Sequence, residues 1–325
     1  MSTQYFKRLF TPQSLVLIGD DFSPDSLEFR VLSNIKNSGF AGDFCVVSSA
    51  SLNQCEGVPC VDSLERLPFQ PQLAIICSAL GQVANIAGEL AAKQVKAIIV
   101  LSRGYSQSPQ KAELKQALLD ATQPFGTRVM GPESMGFIAP KQKLNASYSH
   151  VDIRPGKVAY VGQSDLLGAA MLDWAQGQDI GFSNFVTLGD AIDVDISSVI
   201  DHLSKDPYTQ SLLVQVDRIT SSARHFLSAV RAAARNKLVL VLKSDVIEAQ
   251  RVAHMKAPGL DDEDQAFDAA IRQVGAVRVE SSDKLFSALE TLTRMKPVRG
   301  DRLAVMANGQ GPIALAVDKL IKQGL

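Results

Sequence analysis

Two turn segments carry residues suited to holding an anion: Gly131-Pro132-Glu133-Ser134-Met135-Gly136 and Val161-Gly162-Gln163-Ser164-Asp165. Each follows a short strand-like run, at 127–130 and 157–161, and the second leads into a helical apolar pattern over 166–175. A turn of small residues between a strand and a helix N-terminus presents backbone N–H groups, and the positive end of the helix dipole, to a phosphate. One turn closes an α/β unit and the other opens the next, which predicts adjoining sites for a phosphorylated ligand.

The elements that must position these turns alternate. Strands are expected over 15–18, 44–47, 73–77, 97–101 and 128–130, with helices over 26–37, 81–93 and 107–121. The first strand, Leu15-Val16-Leu17-Ile18, is a continuous apolar run, as a strand covered on both faces requires. Strands alternating with helices predict a parallel sheet with right-handed crossovers, a Rossmann-like α/β domain. Its strand-end turns are alike: Gly19-Asp20, Ser48-Ser49, Ser78-Ala79, Ser102-Arg103-Gly104 and Gly131-Pro132. Short βα turns use Gly and Ser for purely structural reasons. Five on one carboxyl edge, where such sheets bind ligands, favour a nucleotide-like molecule.

A polar stretch without periodicity, 141–155, reads as a linker after a first domain of residues 1–140. The alternation then resumes over 156–298. Strands are expected at 157–161, 184–187, 211–216, 238–242 and 276–279, and helices at 166–177, 196–204, 221–236, 264–274 and 282–295. Residues 299–325 read as the start of a truncated third α/β domain, with a strand at 302–307 and a helix at 313–323.

Composition excludes several classes. The 325 residues hold 33 basic and 34 acidic side chains, a net charge of −1, which argues against a nucleic-acid surface. No signal peptide or long apolar span is visible, so a cytoplasmic protein without membrane contact is expected. Of the four cysteines, Cys45 and Cys77 lie in strand-like runs and read as buried thiols; Cys55 and Cys60 flank a turn at a spacing unlike zinc sites, so no metal is expected. A homo-oligomer is compatible with the sequence.

Several motifs occur together and in order: Leu17-Ile18-Gly19, Gly39-Phe40-Ala41-Gly42, Gly131-Pro132-Glu133-Ser134-Met135-Gly136, Gly162-Gln163-Ser164, Asp173-Trp174-Ala175, Gly181-Phe182-Ser183 and Leu188-Gly189-Asp190. In this order they resemble the NDP-forming acyl-CoA synthetases and the succinyl-CoA synthetase α-subunit. Among these, the chain looks closest to the N-terminal part of Pat-type bacterial protein lysine acetyltransferases. The resemblance implies a CoA-binding Rossmann-like domain followed by a flavodoxin-like ligase domain. It implies CoA or acyl-CoA as ligand. The loop with Gly19, Asp20, Phe22 and Ser23 would meet the phosphates, and Ser48 would stand at the end of the second strand. Ser78, Ala79, Ser102, Gly104, Tyr105, Gly131, Pro132 and Glu133 would line the pantetheine and thiol end, with Gln163 and Ser164 at the second turn. ATP or ADP would enter only through a missing ATP-grasp domain in cis, joined in the acetyltransferase type by an acetyltransferase domain.

The chain departs from that pattern where charge matters. Asp20-Asp21 stands for a customary Ala-Ser, Ser48-Ser49 for Asn-Pro, Glu133 for Asn and Asp165 for Gly. Acidic side chains beside a phosphate repel it. Active relatives relay phosphate through a histidine in a Ser-His-Thr-Gly-Ala run; here His254 comes nearest, without the flanking Ser and Thr, and reads first as a solvated loop residue. Asp217 stands where relatives keep a Glu that supports the phosphohistidine. The leading expectation is a non-catalytic or regulatory CoA-binding module. The alternative is part of a working NDP-forming acyl-CoA synthetase using His254 and Asp217. A nicotinamide-dependent oxidoreductase is disfavoured because the first turn lacks Gly-x-Gly-x-x-Gly.

Overall fold

The apolar run at 15–18 becomes β1 (Ser14–Ile18), buried along its whole length. Its side chains alternate between two cores: Leu15 and Leu17 enter one, Val16 and Ile18 the other. The computed structural model describes residues 3–49, 54–219, 222–243, 260–294 and 303–322. The chain divides into two compact units, Met1–Thr293 and Arg294–Leu325.

Around β1 lie β2 (Asp43–Val47), β3 (Gln54–Cys55), β4 (Val58–Val61), β5 (Leu73–Ile76), β6 (Ala97–Val100) and β7 (Arg128–Met130), in the spatial order β3-β4-β2-β1-β5-β6-β7. All pairings are parallel except β3 with β4. Without β3, the order is the doubly wound one of a Rossmann-like sheet. Crossovers run through α2 (Leu27–Asn37), α3 (Leu80–Ala92) and α4 (Lys111–Thr122). The β3–β4 hairpin turns at Glu56 and Gly57, both with positive φ, and carries Cys55 and Cys60. All four cysteines are buried and free.

The second sheet has the order β14-β13-β12-β10-β11-β8-β9. Its parallel strands are β10 (Pro155–Gly162), β11 (Phe182–Thr187), β12 (Ser211–Val216), β13 (Leu238–Lys243) and β14 (Val277–Val279). They run in the flavodoxin-like order, with α5 (Asp165–Gly177), α6 (Ile196–Ser204), α7 (Ala223–Ala234), α8 (Leu260–Gln273) and α9 (Ser282–Arg294) following in turn.

The segment read as a linker, 141–155, contains structure. Leu144–Ser147 forms β9, fully buried, which pairs antiparallel with β8 (Gly136–Ala139), itself antiparallel to β11. The polar residues hid this strand, because its polarity is satisfied internally. Ser147 Oγ donates to Asn145 Oδ1 at 2.6 Å, and Asn34 of α2 donates to the carbonyls of Ser147 and Ser149, both at 2.8 Å.

The two sheets are stitched together. After β11, residues 190–194 run along the edge strand β7: the N–H groups of Val194, Ile192 and Asp190 donate to the carbonyls of Val129, Gly131 and Pro132 at 3.0, 3.2 and 3.0 Å. The Asp193 carboxylate clamps Arg128 Nε and Val129 N, each at 2.8 Å, so the edge is covered. Gly189 permits this approach: a Cβ there would lie 2.2 Å from the Pro132 carbonyl oxygen. An N-terminal helix absent from the sequence reading, α1 (Thr3–Phe10), adds a further tie. His202 of α6 stacks on Phe6 and Phe10 at 5.0 and 4.9 Å, and burial lowers its pKa to about 4.

In the unit Arg294–Leu325, residues 303–307, the described part of the strand expected at 302–307, form no strand and are followed by α10 (Gln310–Lys322). A strand needs a neighbour to take its backbone hydrogen bonds, and the described residues of that unit supply none.

Candidate functional site

The carboxyl ends of both sheets face one cleft of about 880 Å³. Arg103, Gly104, Ser106 and Gln107 reach it from the loop after β6, and Lys111 from α4. Glu133 comes from the turn after β7 and Tyr148 from the end of β9. The second sheet contributes Gln163 and Asp165 after β10, Gly189 and Asp190 after β11, and Asp217 and Arg218 after β12. The cleft therefore unites four of the expected site residues: Gly104, Glu133, Gln163 and Asp217.

The other expected residues of the first sheet lie along its carboxyl edge, in the strand order Ser48 (β2), Gly19 (β1), Ser78 (β5), Ser102 (β6), Gly131 (β7). At a strand spacing of roughly 4.8 Å this row spans about 19 Å and ends beside the cleft. Ser102 Oγ donates to the Ser78 carbonyl at 2.5 Å and ties two of the turns together. Ser78 Oγ and Tyr105 OH are buried hydroxyls without a hydrogen-bond partner among the described residues. Such groups are costly unless something satisfies them. Burial, with Asp190 nearby, pushes the Tyr105 phenol up to about 12, so it remains a donor. Ala79 caps α3 without a side-chain hydrogen bond, leaving that end of the helix open to an acceptor.

The β1 turn is acidic, as its sequence suggested. Asp21 is spent locally, accepting from Ser23 N at 2.8 Å and Ser23 Oγ at 3.0 Å, while Asp20 is exposed. Glu28, on α2, lies against Gly19; burial first, then Asp21 and Asp20, raises its carboxyl pKa. Phe22 packs on the core, half-buried. Ser48 is buried, and its N–H donates to the Val61 carbonyl.

The turn after β7 is committed to structure. Gly131 has φ +103°, and a Cβ there would lie 2.3 Å from the Val100 carbonyl oxygen. The carbonyls of Gly131 and Pro132 are taken by residues 190–194, and Ser134 Oγ donates to the Thr187 carbonyl at 2.6 Å. Glu133 sits at φ 55°, and its carboxylate accepts from Ser106 N at 3.1 Å and from Ser106 Oγ. It thus ties down the Arg103–Gln107 loop.

The turn after β10 is filled from within. Gln215, fully buried on β12, accepts the N–H groups of Gln163 and Ser164 on one amide oxygen at 2.8 and 2.9 Å. Gln163 in turn accepts from the N–H groups of Asp217 and Arg218. Ser164 caps α5 by accepting from Leu167 N. Asp165, expected to repel a phosphate at this helix end, bridges the domains. It accepts from Met135 N at 3.0 Å and from Tyr148 OH at 2.7 Å. Burial raises its pKa, opposed by these hydrogen bonds. His254 lies outside the described residues. Asp217 accepts from Gln215 Nε2 at 2.5 Å with its carboxylate at the cleft.

Tyr148, Lys111, Asp190 and Arg218 were missed by sequence reasoning. Tyr148 stood in the supposed linker. Lys111 and Arg218 converge on Asp190 Oδ1 at 2.8 and 2.9 Å from elements far apart in sequence, a meeting that no local spacing announces.

The family model described as a CoA binding domain matches residues 13–140, and that described as a succinyl-CoA ligase like flavodoxin domain matches 155–292. The chain carries the α-subunit-like domain pair of the NDP-forming acyl-CoA synthetase family. Acetate–CoA ligase [ADP-forming] I of Archaeoglobus fulgidus is 28% identical over 96% of the chain, which covers 45% of that enzyme. The α subunit of acetate–CoA ligase [ADP-forming] I of Pyrococcus furiosus is 24% identical over 98% of the chain and 70% of the subunit. The apo structure of acetyl-coenzyme A synthetase 1 of Ca. Korarchaeum cryptofilum superposes with a TM-score of 0.89, at 24% identity, over 98% of the chain and 69% of its own. The chain thus spans about half the length of the Archaeoglobus relative. Among the described residues, no helix is long and apolar enough to cross a membrane.

Proposed function

We propose that this chain is the CoA- and acyl-CoA-binding part of a larger synthetase-like protein, acting as a sensing or regulatory module. The ligand's nucleotide end lies toward the β1 and β2 turns, its arm crosses the β5 and β6 turns, and its acyl end enters the cleft. The carrying observation is the pair of buried hydroxyls, Ser78 Oγ and Tyr105 OH, without a partner among the described residues, on that edge beside α3, which has no side-chain cap. A ligand arm rich in amides supplies the partners they lack. Against phosphoryl transfer stands the β10 turn, whose first two N–H donors are taken by Gln215. An ATP-grasp domain, and in the acetyltransferase type an acetyltransferase domain, would complete the protein in cis.

Calorimetric titration with CoA and acetyl-CoA tests this reading. Saturable binding is expected, abolished in Gly81→Trp, which adds bulk in the first turn of α3 where a Cβ meets nothing within 4 Å. No binding at millimolar ligand would refute it.

A second reading is a working half of an NDP-forming acyl-CoA synthetase. It is favoured by the ADP-forming relatives and by the position of the Asp217 carboxylate at the cleft. Full-length protein incubated with labelled ATP decides between the two: a phospho-form lost in His254→Ala supports the enzyme.

A further inference from the structure

The cleft's charged groups are nearly all engaged. Lys111 and Arg218 share Asp190, Glu133 is bound by Ser106, and Asp165 by Tyr148 and Met135 N. Arg103 is different. Among the described residues no carboxylate pairs with it, and its guanidinium lies over the Tyr148 ring, 4.8 Å from the centroid. The ring is itself fixed, because the phenol donates to Asp165 Oδ2 at 2.7 Å while Asp165 Oδ1 accepts from Met135 N at 3.0 Å. The guanidinium also hydrogen-bonds the Tyr148 phenol, and its remaining N–H donors are left for an acceptor in the cleft.

Arg103 also stands at the right point of the row. It belongs to the turn after β6, next to β7, where an arm laid along the carboxyl edge ends. We propose that Arg103, seated on Tyr148 and held by Asp165, recognises the carbonyl oxygen of a bound thioester and so distinguishes acyl-CoA from free CoA. This deepens the CoA-binding reading and rests on it. A thioester carbonyl accepts a charge-assisted hydrogen bond, whereas a thiol is a poor acceptor. Tyr148 and Asp165 act through Arg103 as positioning residues.

The test compares acetyl-CoA with S-ethyl-CoA, a thioether of equal length in which a methylene replaces the carbonyl, by calorimetry on the full chain. The wild type is expected to prefer acetyl-CoA by about tenfold, the worth of one hydrogen bond to a charged group. In Arg103→Gln the preference should fall below about threefold while S-ethyl-CoA affinity stays unchanged, and Arg103→Lys should restore part of it. Tyr148→Phe keeps the ring but loses the bond to Asp165, and should give an intermediate preference. Arg103 is exposed, so its variants are expected to keep the wild-type unfolding midpoint. An absent preference in the wild type, or one that survives in Arg103→Gln, overturns the proposal. If CoA itself binds, only this inference falls; if no CoA species binds, the CoA reading falls and takes it along.

Discussion

The carboxyl edge of the first sheet and the turn after β10 look alike in sequence but are built oppositely. Along the first edge, Ser78 Oγ and Tyr105 OH are buried without partners among the described residues, and α3 starts without a side-chain cap. At the β10 turn, Gln215 reaches up from β12 and takes both leading N–H groups. One region has hydrogen-bonding capacity left over, and the other has consumed its own. A Gly/Ser turn at a helix N-terminus is therefore a potential anion seat, and a single residue from a neighbouring strand decides whether it stays open.

The largest effect is expected where the two regions meet. Gly131→Ala places a Cβ against the Val100 carbonyl at positive φ, and should lower stability by about 3 kcal/mol or more, read as a fall in urea midpoint. A bulkier residue there would report folding rather than ligand blockage, which makes Gly81→Trp the better control. Next, Gln215→Leu strips the acceptor from one buried and one part-buried N–H group and should cost about 2–3 kcal/mol. If the turn is an anion seat held by an amide, inorganic phosphate should now raise the melting temperature of the variant and not of the wild type. No phosphate effect in either protein would break the comparison.

Ser78→Ala removes an unsatisfied hydroxyl, so the unliganded protein should keep or slightly gain stability while CoA binds about fivefold more weakly. A loss of stability without loss of binding would show that the first edge is as self-satisfied as the second. Asp165 gives the smallest effect. Its folded pKa is raised, so the folded state holds the proton more tightly than the unfolded chain. Its contribution is fully present below the unfolded value near 3.8 and is lost as pH rises through the higher folded value. Asp165→Asn should flatten that part of the stability–pH curve, changing neutral-pH stability by under about 1 kcal/mol, as denaturant titrations at several pH values can measure.

Much of the fold was legible. The apolar run at 15–18, the alternation of strands and helices, and the motif series from Leu17 to Asp190 led to two α/β sheets of the expected types. The misses share a physical origin. Leu144–Ser147 looked like linker because Asn145 and Ser147 are polar, yet they bond each other and α2 supplies Asn34. The strand expected at 302–307 had a convincing pattern but, among the described residues, no neighbour to pair with. At the site, Gly104, Glu133, Gln163 and Asp217 were named in advance, whereas Tyr148, Lys111, Asp190 and Arg218 meet only through the packing of the two sheets.

By itself, the sequence determined the central parallel strands of both sheets, where the small-residue turns fall, and that those turns share sheet edges, because side-chain period and turn chemistry are local properties. The tertiary structure decided which turns remain open. It brought Gln215 beneath Gln163 and Ser164, turned Asp165 toward Tyr148 and Met135, and left Arg103 without a carboxylate among the described residues. Hydrogen-bond satisfaction and charge pairing are short-ranged in space but indifferent to distance along the chain.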